Sequence, residues 1–174
     1  MSAILYLAQP LDPAGERHTL HLVEALAAAG AATVLAWGGI RLPALAGVEL
    51  APLPPAGGLM AGGHWILDPD GQPVDHAWKK RRAAASLAIA ARVRPALLLL
   101  DGAAFGSGAF RFELKPLLEI AARRQPRPLI AVWSPGGTPL PVPEGQRAPD
   151  RVVGEAEPAA AAATLRTLLG ETGG

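Results

Sequence analysis

A chain of 174 residues, half of them apolar, is long enough to bury one well-formed core and short for two. Its 16 Lys and Arg stand against 15 Asp and Glu, a formal charge of +1 that leaves no electrostatic footprint for nucleic acid. The absence of cysteine excludes disulfides, thiolate metal sites and cysteine nucleophiles together, and accords with a reducing cytoplasm.

The first apolar run, residues 3–7, has no Lys or Arg before it and is too short for a signal-peptide core or a membrane span. Its lack of polar residues predicts a strand buried on both faces. Leu20, Val23 and Ala27 recur at helical spacing, Leu22 and Leu26 widen the stripe, and the pattern predicts a helix over 16–29 that Gly30 stops. Residues 33–37 read as a second strand ending at Gly38 and Gly39, and 48–53 as a short third strand before Pro54 and Pro55.

The glycine-rich stretch 56–73 has no helical period and ends in an Asp-Pro-Asp-Gly turn, so it reads as a long loop, functional or disordered. Asp75 is placed to cap a helix that carries Trp78 and the basic block 79–82 and runs to about Arg94. Residues 96–100 form the expected central strand, ending in Asp101 and Gly102. A loop over 102–108 then leads to a helix over 110–124 and a strand over 129–133. A Pro/Gly-rich loop covers 134–150, a short strand 151–154, and Pro158 opens a C-terminal helix over 158–169. Apolar strands alternating with helices call for a single α/β domain over 1–174, three-layered, with a mostly parallel sheet.

Several motifs together carry a resemblance. They are Ile4-Leu5-Tyr6 leading to Gln9 and a glycine-containing turn, Asp70-Gly71-Gln72-Pro73-Val74-Asp75 with Ala77-Trp78-Lys79, and Arg94-Pro95 ahead of the central strand. The most specific is Phe105-Gly106 followed by Phe110-Arg111-Phe112-Glu113-Leu114 and Pro116-Leu117-Leu118-Glu119. Over residues 3–133 the chain resembles the N-terminal half of bacterial GT-B glycosyltransferases, distant relatives of the enzyme that adds N-acetylglucosamine to the lipid-linked peptidoglycan precursor.

The resemblance implies a Rossmann-like acceptor domain and a sugar or lipid-linked acceptor. In that family the nucleotide-sugar sits mainly in a C-terminal domain, so a separate donor-binding subunit is the implied partner of a sequence that stops at residue 174. The family's first loop normally carries a Gly-His pair with an Arg three residues after the glycine. Here the run is Gly15-Glu16-Arg17-His18, which sets a carboxylate beside the glycine. A degenerate, non-catalytic binding or scaffolding domain is the second reading, and an independent small-molecule enzyme the third.

Parallel sheets place ligands at the C-terminal ends of their strands. That edge collects Gly15, Glu16, Arg17 and His18 after the first strand, Gly38 and Gly39 after the second, and Asp101, Gly106, Ser107, Arg111 and Glu113 after the central one. Glu16 or His18 is the candidate general base on an acceptor hydroxyl, although a carboxylate also suits a helix N-terminus. Arg111 offers a fork for phosphate or carboxylate, or else pins a helix start together with Glu113 while Phe105, Phe110 and Phe112 pack as core. Glu16, His18 and Arg111 are expected to meet in one cleft.

The block 79–82 reads as a solvated helix face in preference to a membrane-surface contact. Leu59, Met60, Trp65 and Ile66 would touch acceptor or lipid if the glycine-rich loop is ordered. Ser134 lacks a Gly-x-Ser-x-Gly setting, so hydrolase chemistry has little support, and no cofactor or metal is called for.

Overall fold

A computed structural model describes residues 3–172. In chain order the elements are β1 (Ile4–Ala8), α1 (Pro13–Ala28), β2 (Thr33–Trp37), β3 (Glu49–Pro52), β4 (Gly58–Leu59) and β5 (Ile66–Leu67). They continue with α2 (His76–Val93), β6 (Leu97–Asp101), α3 (Gly102–Ser107), α4 (Arg111–Arg123), β7 (Leu129–Trp133), β8 (Arg151–Val153) and α5 (Pro158–Glu171). Six strands form one sheet in the order β3-β2-β1-β6-β7-β8, and every pairing is parallel. With the β4-β5 ribbon set aside, this is the doubly wound order of a Rossmann-like fold, whose switch point lies between β1 and β6.

The three layers follow from the period of two along each strand. Leu5, Leu7, Leu98, Leu100, Ile130 and Val132 face α2 and α4, while Ile4, Tyr6, Leu97, Leu99, Ala131 and Trp133 face α1 and α5. The central strand is buried on both sides, as its unbroken leucine run predicts. Among the described residues no helix is long and apolar enough to cross a membrane.

Three local expectations are corrected. Helix α1 starts at Pro13 and not near residue 16, because Asp12 caps it, its Oδ1 accepting from Gly15 N at 2.7 Å. Proline fits in this first turn, where its missing N–H has no intrahelical partner to lose. Gly15, Glu16, Arg17 and His18 are therefore helical and form no loop. The stretch 102–108 is mostly the short helix α3.

The stretch 56–73 is also built, as an antiparallel ribbon. Asp68 Oδ1 accepts from Asp70 N and Gln72 N, both at 2.9 Å, to close its turn. Gly57 N donates to Leu67 O at 2.7 Å, and a Cβ on Gly57 would come within 2.3 Å of Asp68 O, so the ribbon needs glycine there.

Candidate functional site

At the switch point, the ends of β1 and β6 bring together groups that lie far apart in sequence. Asp101, the last residue of β6, accepts through Oδ2 from Gln9 N at 2.6 Å and through Oδ1 from the Tyr6 hydroxyl. Thr19, on the first turns of α1, places its Oγ1 3.5 Å from that hydroxyl. Burial raises the Asp101 carboxyl to about 6, against the lowering effect of its bonds to Tyr6 and Gln9. Burial also pushes the Tyr6 phenol well above its ordinary value, reinforced by the neighbouring Asp101 charge.

Gln9, Thr19 and Asp101 border a crevice of about 100 Å³ whose wall also includes Asp12, Gly15, His18 and Trp133, with Tyr6 buried behind it. The exposed His18 ring stands 6.2 Å from the Trp133 ring, centroid to centroid.

The folded-state pKa of Asp101 lies above its unfolded value, so the native protein holds this proton more tightly than the unfolded chain does. Its contribution to stability is complete at low pH and is lost as pH rises through the interval from 3.8 to about 6. The full loss by neutral pH is about 3 kcal/mol. Asp101→Asn should remove this dependence, so its urea midpoint should gain on the native one between about pH 4.5 and pH 7.5. A gap that stays constant over that interval would contradict the assignment.

The other expected site residues separate. Glu16 borders a neighbouring depression with Asp12, Gly39 and Arg41, and Arg17 is exposed. Gly38 is buried, and a Cβ there would fall 2.2 Å from Gln9 Oε1 and 2.7 Å from an Arg82 nitrogen. Its requirement for glycine is one of packing. Gly106 lies against Pro141 and Leu140. The Ser107 hydroxyl donates to Ala104 O at 2.9 Å and accepts from Ala109 N at 3.2 Å, closing the end of α3.

Arg111 is exposed in a different groove with Lys79 and Lys115, its Nη1 donating to Glu144 O at 2.8 Å. The expected convergence of Glu16, His18 and Arg111 is thus overturned. The double winding carries α1 to one face of the sheet and α4 to the other, so Asp101, at the strand end between them, borders the crevice with Gly15 and His18, whereas Arg111 lines a separate groove.

Glu113 needs a larger correction. It is 1 % exposed and pairs not with Arg111 but with Arg82, which is 0 % exposed. Arg82 Nε donates to Glu113 Oε2 at 2.9 Å and Nη2 to Oε1 at 3.1 Å, a two-pronged pair. Ser86 Oγ donates to the same carboxylate at 2.9 Å, and Arg82 Nη1 donates to Pro54 O at 2.9 Å. The Trp78 and Phe110 rings cover the guanidinium at 5.6 and 5.3 Å. Arg82 therefore departs from the solvated face expected of the basic block. The available signal was the spacing Trp78, Arg82, Ser86, one residue per helical turn, which forms the buried stripe of α2.

Fold and crevice define a Rossmann-like α/β domain with a small acidic crevice at its switch point. No protein-family model matches the chain, and no curated protein matches it at a significant level.

Proposed function

We propose that this domain is the acceptor side of a GT-B-type glycosyl transfer, taking a hydroxyl of a sugar or lipid-linked acceptor into the switch-point crevice while a separate subunit presents the nucleotide-sugar. The supporting observation is the charge of the crevice: Asp12 and Asp101 border it with His18, and among the described residues no Lys or Arg does. A diphosphate would face two carboxylates, and Asp12 already caps the N-terminus of α1, the position at which such folds ordinarily receive phosphate. A hydroxyl meets acceptors there instead.

In this reading Asp101, held by Tyr6 and Gln9, takes the hydroxyl proton through a remaining lone pair. The freed oxygen attacks the anomeric carbon, and the bond to the leaving diphosphate breaks with its electron pair. His18 stands beside the same opening as the alternative base. A cytoplasmic setting belongs to this reading, as does a weak membrane-surface contact through Met60 and Trp65, exposed by 45 and 59 % on the ribbon. The second reading, a degenerate binding or scaffolding domain, draws on the same carboxylate: both Asp101 oxygens already accept bonds from within the fold.

Calorimetry with UDP-sugars separates these roles from donor binding. The expected affinity of the isolated domain is about millimolar or weaker, roughly 4 kcal/mol; micromolar binding would show that a donor site is present after all. Acceptor saccharides at millimolar concentration should shift the Trp133 indole and His18 resonances, and Asp101→Asn should abolish the shift. If a panel of saccharides moves neither residue, the scaffolding reading replaces the catalytic one.

A further inference from the structure

At the opposite edge of the sheet from the crevice, α2 and α4 fail to close on one another. Leu98 forms the floor of the gap, Ala90 and Ala91 one wall, and Leu117 and Ile120 the other, leaving a trough of about 360 Å³. The alanines of α2 are too short to fill the space, and Ile120 is left 53 % exposed. The volume lies within the range of small-molecule sites, about 300–1,000 Å³.

The end of this trough is cationic. Arg94 and Arg124 border both it and an adjoining polar cleft of about 330 Å³ that also includes Arg127. Arg124 Nη1 donates to Ala90 O at 3.1 Å, which fixes the guanidinium at the mouth. Arg127 is paired with Asp150 at 2.6 Å, whereas no ion pair among the described residues engages Arg94 or Arg124. Arg94 ends α2 at φ 50°, the one non-glycine residue with positive φ among those described. Glycine is the usual residue in that left-handed position, so an arginine there is held against local preference.

We propose that this trough and cleft form a binding site for a single-chain anionic amphiphile, with its alkyl chain between α2 and α4 and its head group on Arg94 and Arg124. The apolar walls exclude a wholly polar ligand, and the two guanidinium groups at one end match a carboxylate or phosphate head. A buried chain displaces water from apolar walls, and a charged head fixes its direction. The site stands apart from the switch-point crevice and does not depend on its function.

Calorimetry below the micelle threshold with dodecanoate, dodecyl phosphate and dodecanol tests the proposal on the whole chain. Both anions should bind, and dodecanol should bind at least about tenfold more weakly. A preference between the anions identifies a carboxylate or a phosphate head, and either result supports the site. Arg94→Gly suits the left-handed position and should keep the fold while weakening the anions roughly tenfold. Ala91→Trp should fill the trough and remove binding of all three compounds, with the melting transition retained.

Equal binding of dodecanol and dodecanoate, or unchanged affinity in Arg94→Gly, would overturn the proposal. So would a concentration-dependent dimer that Ala91→Trp dissociates in the absence of any dodecanoate binding, since a second copy of the chain would then be the occupant.

Discussion

Glu113→Ala is expected to destabilise the domain by about 3–5 kcal/mol, because it leaves the Arg82 guanidinium charged, buried and without its two-pronged partner. The loss goes beyond one contact. Ser86 Oγ also gives up its bond to that carboxylate, and Arg82 retains only Pro54 O among its hydrogen-bond acceptors. Arg82→Ala should be similarly severe, since it strands the carboxylate. The double variant Arg82→Met with Glu113→Leu should recover most of the loss, because apolar side chains of similar size remove both charges together. Urea melts of the three variants provide the check. A Glu113→Ala loss below about 1 kcal/mol would mean that water reaches the pair. Failure of the double variant to recover would instead assign the cluster a role in specifying the packing of α2 on α4.

The second large effect belongs to the central strand. Leu98→Ala and Leu99→Ala should each cost about 2–5 kcal/mol, with Leu99 the more damaging. Both side chains are almost inaccessible, but they point to opposite faces of the sheet. Leu99 is enclosed between β1, β7 and the α1-α5 layer, so its removal leaves a closed cavity. Leu98 forms the floor of the open trough between α2 and α4, where fewer neighbours are lost. Equilibrium unfolding in urea orders the two, and losses under about 0.5 kcal/mol for both would mean that β6 is peripheral.

The strands were the most legible part of the sequence. A run such as residues 97–100 has a single low-energy fate, burial on both faces, and the alternation of such runs with helical stripes leaves little besides a parallel sheet with two helical layers. Capping chemistry was legible at Asp75, whose side chain accepts from Trp78 N at 2.7 Å, and was missed at Asp12. There the apolar stripe begins only at Leu20 and set the expected start near residue 16, although Pro13 suits a first helical turn.

The sequence by itself determined the α/β class and the central place of β6, because apolar periodicity is a local property of the chain. Only the tertiary structure decided which polar residues meet. Arg82 reads as one member of a basic block until α2 packs on α4 and brings Glu113, thirty-one residues away, against it. Asp101 reads as a strand end until β1 presents Tyr6 and Gln9, which lie 95 and 92 residues from it. Arg111 leaves the crevice because its helix crosses to the other face of the sheet. Pairings of this kind depend on the direction of each crossover and on the side chains that fill the layer beneath it, and neither is carried by any one segment of the chain.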